Sequence, residues 1–138
     1  MLNVARVRSA WEWCGAQIHE LTPAEHDRVF AAVSHLPHLL AFAMMNAVNS
    51  QPQAKDYLSL AGPGFRDFTR IAASDPKMWR DVLLANREEL LSQARVFKDA
   101  LQVIERTIES GNGDALENLI NQASTARAHW RMGAAPKK

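Results

Sequence analysis

One cysteine, Cys14, is all the sulfur chemistry the chain has beyond methionine. No intrachain disulfide can form, so thiol usage fits a reducing compartment. Net charge is nearly absent as well: 16 basic residues against 15 acidic give +1. A balance of this kind creates no field that draws in nucleic acid or an anionic membrane, and neither is expected as a partner. Long apolar runs are missing. The longest, residues 39–47, is interrupted at Asn46 and falls well short of the roughly 20 residues that span a bilayer. The N-terminus has neither the basic flank nor the cleavage site of a signal peptide. A cytoplasmic chain is expected.

Catalytic signatures are lacking too. No G-x-G-x-x-G follows a strand pattern and there is no P-loop, so the chain by itself offers no dinucleotide or nucleoside triphosphate site. No serine stands in a nucleophile elbow, and no H-E-x-x-H occurs. His35 and His38 form an H-x-x-H pair, but Pro37 interrupts it, and no metal is expected.

What remains is a sequence of 138 residues, 47% hydrophobic and 22% charged, enough for a domain with a core. Residues 4–14 have helical spacing, Gly15 suits the position past a helix end, and residues 17–21 alternate like a short strand. A helix followed by one strand cannot bury itself. The segment therefore reads as the last piece of an α/β domain or as a frayed helix and linker. Thr22-Pro23-Ala24-Glu25 is a helix start with the elements of a capping box. Pro37 predicts a kink or break near His35, and residues 39–45, apolar all round, predict a helix buried on every side. In a domain this small, such burial calls for a covering surface from a second subunit.

Residues 49–57 are polar and turn-prone, Gly62-Pro63-Gly64 is a break, and residues 65–73 suit a short helix. Ser74-Asp75-Pro76 caps another, which carries Trp79 and ends near Asn86. From Arg87, the series Leu90, Ala94, Phe97, Leu101, Ile104, Ile108 steps by fours and threes. After Gly111-Asn112-Gly113-Asp114, the series Leu116, Leu119, Ala123, Ala126, Trp130 does the same, and the two faces are expected to pack as an antiparallel hairpin. The fold class is all-α.

Polar groups concentrate in residues 22–79. His26, His35 and His38 punctuate an apolar helical pattern, and Arg66, Asp67 and Arg70 follow a glycine turn. Taken singly, such histidines are usually hydrogen-bonded core residues. As a set they suit a small dianion, with Arg70 forking onto a carboxylate and imidazoles donating to other oxygens. The competing reading ties Arg70 to Asp67 or Asp75 on the same surface.

The runs E-H-D-R-V-F-A-A-V-S-H-L-P-H-L-L-A-F-A and A-G-P-G-F-R-D-F-T-R-I-A-A-S-D-P-K-M-W-R-D, at their spacing, resemble the C-terminal helical domain of the prephenate dehydrogenase family. The resemblance extends over residues 11–130. It implies an N-terminal Rossmann domain that binds NAD or NADP, ending in residues 1–20, then an all-α dimerisation domain over 21–132 and a disordered tail over 133–138. It also implies oxidative decarboxylation of prephenate or arogenate, with the proton-accepting histidine and the cofactor site in the other domain, so that this chain is a fragment, inactive alone. Arg70 then matches the carboxylate-holding arginine and His38 a pocket histidine. His26, His35, Trp79, Gly62 and Gly64 match other substrate-binding positions, and Asp67 an acid at the subunit interface. Pro63 departs from the glycine expected there and removes an N–H. The implied partners are a second copy of the chain, the substrate, and L-tyrosine as a regulatory ligand. The alternatives are a non-catalytic dimerisation or tyrosine-sensing module, and a metal-binding helical protein.

Overall fold

The computed structural model describes residues 2–131, apart from the side chain of Leu2; the tail at 133–138 lies outside the described residues. Eight α-helices follow one another: α1 (Leu2–Trp13), α2 (Pro23–Phe30), α3 (Leu36–Asn49), α4 (Ala54–Ser59), α5 (Pro63–Thr69), α6 (Pro76–Ala85), α7 (Arg87–Glu109) and α8 (Gly113–His129). There is no strand among the described residues, and the fold is all-α. The chain divides into two compact units, Thr22–Lys98 and the segments flanking it.

Within Thr22–Lys98, local chemistry sets the helix starts. Thr22 Oγ1 accepts from the Glu25 amide at 3.3 Å while the Glu25 carboxylate accepts from the Thr22 amide at 2.8 Å, a complete capping box with Pro23 opening the helix. Asp75 caps α6 by accepting from the Met78 amide at 2.7 Å. Pro63 likewise opens α5, where an N–H has no intrahelical partner and its loss is harmless to the helix.

Pro37 does not break the chain. Between α2 and α3, Ala31–His35 forms a π-helical stretch in which the Leu36 N–H reaches back to the Ala31 carbonyl, five residues away. The wider turn gives the proline ring room and keeps the helix continuous from Pro23 to Asn49, 27 residues with mean hydropathy 1.3 over its most apolar window. By length and composition this run is long enough to cross a membrane, which the apolar run at 39–47 alone is not.

In the single chain Ala41 is the one fully buried residue of α3 and Met44 is 42% exposed, which leaves the rest of the apolar run at 39–45 to the covering surface expected from a second subunit. Two expectations need correction. Residues 17–21 form no strand, because a strand needs a ladder and none is offered. The two stepped seams do not cover each other either. Leu90 and Ala94 of α7 are buried, but Leu101, Ile104 and Ile108 are exposed, and α8 has no buried residue. A repeating spacing specifies a face, not the surface that fills it. Sequence reading also missed α4 within its polar, turn-prone stretch.

In the flanking unit, α1 ends in a Schellman turn. Gly15, at φ +80°, donates to the Glu12 carbonyl at 2.9 Å and Ala16 to that of Trp11 at 3.0 Å. The chain then folds back so that Ile18 lies near Val4, Val7 and Trp11, and Arg8 pairs with Glu20. Gly111, at φ +65°, turns the chain into α8, whose cap is Asn112 accepting from the Ala115 amide at 3.0 Å.

The capping box sets a stability test. Thr22→Ala should cost about 1 kcal/mol in urea unfolding and Thr22→Ser much less; equal losses would mean that the hydroxyl is not the group that matters.

Candidate functional site

Residues three and four apart on a helix share a face, and His35, His38 and Phe42 follow that spacing. All three meet the indole of Trp79, a buried residue of α6. His38 stacks on it with centroids 3.5 Å apart and planes 20° from parallel. His35 and Phe42 approach edge-on at 6.2 and 6.3 Å. Such contacts add about 0.5–1.5 kcal/mol per aromatic pair beyond area burial.

Asn86, just past α6 and seven residues from Trp79, is buried on the same side. Its Nδ2 donates to the Asp27 carbonyl at 2.7 Å and lies 3.2 Å from His35 Nδ1. Asn86 was read from sequence only as a helix terminus. Its spacing from Trp79 is the one signal that marked it. His38 Nδ1 meets the Ser34 carbonyl at 2.9 Å. Burial, with a further push from His26, holds the His35 imidazole below the ordinary histidine pKa, against a smaller upward pull from Asp27.

Phe42 also borders a cavity of about 750 Å³. Arg70 lies in its wall, with Asn46 and Asn49 from α3 and Thr69 from α5. The Thr69 hydroxyl is spent on the Phe65 carbonyl at 2.7 Å. Arg66, also in the wall, pairs through Nε with Asp67 at 3.0 Å. Arg70 has no ion pair among the described residues. The alternative that ties it to Asp67 or Asp75 is not seen: Asp67 is held by Arg66, and Asp75 caps α6.

The remaining candidates stay apart. His26 is exposed, packed on Phe30 at 4.5 Å with Nδ1 3.1 Å from Asp27. Gly62 and Gly64 lie outside the cavity wall, have no left-handed backbone, and would meet nothing within 4 Å if given a Cβ. Asp67 is exposed beside Arg66. No group of three His, Cys, Asp or Glu side chains suited to a metal ion occurs among the described residues.

Residues 22–122 match the family described as prephenate dehydrogenase, dimerization domain. The chain belongs to that family. It is 32% identical to the cyclohexadienyl dehydrogenase of Zymomonas mobilis over 90% of its own length and 43% of that protein's. It is 33% identical to the prephenate dehydrogenase of Bacillus subtilis over 90% of its length and 33% of the relative's. Among solved structures it superposes on the prephenate dehydrogenase of A. aeolicus, determined with hydroxyphenyl propionate and NAD+. The TM-score there is 0.83 and the identity 35%, over 91% of this chain and 44% of that one. The Synechocystis arogenate dehydrogenase gives a TM-score of 0.82 at 28% identity, over 91% and 46%. The chain spans less than half the length of these members of the prephenate dehydrogenase family.

His35 also gives a pH test. A depressed folded pKa means that the native state resists the proton the unfolded chain accepts. The associated stability is complete above the ordinary histidine pKa and is lost as pH falls through the folded value. Between pH 7.5 and 5 the melting temperature should therefore fall more steeply for the parent than for His35→Gln, and parallel slopes would remove His35 from the account.

Proposed function

We propose that this chain is the substrate-binding and dimerisation half of an NAD-dependent prephenate dehydrogenase, acting in the cytoplasm on prephenate or arogenate. On this reading residues 1–20 close an N-terminal dinucleotide-binding domain, residues 21–132 are the helical domain, and the chain is inactive without the former. The observation that carries the proposal is Arg70: a guanidinium without a carboxylate partner among the described residues, in the wall of a cavity that Phe42 of the Trp79 cluster also lines, in a chain of this family.

NAD, when bound, supplies a hydride acceptor. This chain's residues do not suit it: its described glycines sit at helix ends or starts, and no strand leads into a phosphate-binding turn among the described residues. The cofactor belongs on this reading to the N-terminal domain. The helical half binds and orients. Arg70 holds a substrate carboxylate in a two-pronged grip, the histidines flanking Trp79 bond polar oxygens, and the apolar walls exclude water. Asp67, exposed with Arg66, serves the subunit interface, and His26, Gly62 and Gly64 keep the substrate-binding role that the resemblance implies. L-tyrosine, as an aromatic amino acid with the same carboxylate, is a candidate regulatory ligand of the same cavity.

The bare seams support a homodimer. Leu101, Ile104, Ile108 and Trp130 are 40–59% exposed, an apolar surface that water penalises at roughly 25 cal/mol per Å². Light scattering at micromolar concentration should give twice the mass of one chain. A cooperative monomer would sink the dimer. The pure chain should make no NADH from prephenate.

Arg70 is tested in the enzyme restored by joining a dinucleotide-binding domain ahead of Thr22. Arg70 is exposed in the single chain, and on this reading substrate and the second domain desolvate it; losing one side of a desolvated charge pair costs about 2–5 kcal/mol, so Arg70→Ala should raise KM about 30-fold or more, with Arg70→Lys between it and the parent. A KM within about twofold of the parent, together with a lowered melting temperature, would assign Arg70 to structure alone.

A further inference from the structure

The hydrogen bonds around Trp79 constrain where protons sit. Asn86 Nδ2 is 2.7 Å from the Asp27 carbonyl oxygen, an acceptor that also takes the Ala31 N–H of its own helix. Turning the amide over would set two oxygens against each other at that distance, so the amide orientation follows from the chemistry. The same –NH2 group has a second hydrogen, and its nitrogen lies 3.2 Å from His35 Nδ1. That nitrogen must therefore accept, which leaves the ring proton on Nε2. His38 is the reverse. Its Nδ1 faces a carbonyl, that of Ser34, at 2.9 Å, and must donate, which leaves Nε2 a bare lone pair in the neutral ring. Neither Nε2 has a hydrogen-bond partner among the described residues.

We infer that Asn86 is a positioning residue that fixes His35 as the Nε2–H tautomer while the Ser34 carbonyl fixes His38 as the Nδ1–H tautomer, so that the Trp79 cluster presents one imidazole donor and one imidazole acceptor to a ligand. The ligand class follows: an oxygen acceptor, such as a carboxylate or carbonyl oxygen, for His35, and a hydroxyl or ammonium donor for His38. The recognition role rests on the function proposed above; the tautomers do not. Protonating His35 would turn N–H against N–H, and this agrees with a basicity lowered by burial and further by His26 and His38, against an upward pull from Asp27. Asn86 touches no reacting atom on this reading and acts through His35.

The test is long-range ¹H–¹⁵N NMR of the chain labelled at histidine, which reports the nitrogen that carries each proton. At pH 7.5 the parent should show His35 protonated on Nε2 alone and His38 on Nδ1 alone. Either assignment reversed overturns the inference, with no variant needed. Asn86→Ala, checked for fold by circular dichroism, should lose the single-tautomer pattern at His35, raise its pKa toward the ordinary histidine value and leave His38 unchanged. An unaltered His35 in the folded variant removes Asn86 from the positioning role. Hydroxyphenyl propionate, added to the parent, should shift Nε2 of one or both rings. Tautomers as assigned with no shift at either nitrogen would overturn the recognition role and leave the failure with the ligand reading.

Discussion

The arrangement of Thr22–Lys98 depends on one flat contact, the Trp79 indole against the His38 imidazole, with His35 and Phe42 closing its edges. Among the described residues no large side chain is fully buried, and the interior is otherwise made of alanines, Leu90, the polar Thr69 and Asn86, and the edges of partly covered residues. Alanine at positions 31 and 41 lets backbones approach closely but supplies little area of its own. Most of the burial between α3 and α6 therefore passes through the indole. A polar ring stacked on an aromatic one is also a ring that cannot swing, and the same contact that holds the helices together fixes the direction of a titratable group. Packing and site are here one structure.

The apolar residues tell the complementary story. Val33, Leu84, Ile104, Ile108 and Ile120 are well exposed, and the seams of α7 and α8 are bare along most of their length. A single copy of the chain leaves many side chains in water that its composition would have placed inside. For a member of a family named for dimerisation, the surface is the natural place for that surplus.

How much of this was legible in the residues depends on the range of the interaction. Helix starts were readable because capping is local: Thr22 with Glu25, Asp75 with Met78 and Asn112 with Ala115 all close within three residues. The face carrying His35, His38 and Phe42 was readable from spacing, and the two long motifs carried the family. The partners across space were not. Asn86 lies 51 residues from His35 and 59 from Asp27, and beyond its spacing from Trp79 nothing in its neighbourhood marks it as anything but a helix end. The seams misled for the same reason, since periodicity along one helix is silent about the second surface. The π-helical stretch was missed because proline announces a disturbance, and a wider turn is only one way to accommodate it.

That wider turn works as a phase adjuster. In an unbroken α-helix, at 3.6 residues per turn, positions 27 and 35 would point about 80° apart, so one amide would struggle to bond both. A turn that absorbs one surplus residue removes roughly 100° of rotation and brings the Asp27 carbonyl and the His35 ring to within about 20° of the same line. Asn86 bridges them there. Deleting a single residue from Ala31–His35 would restore ordinary α-helical spacing but press the Pro37 ring against the preceding turn. It would also turn all of α3 away from Trp79, so the irregular turn is a length of chain kept to set an angle.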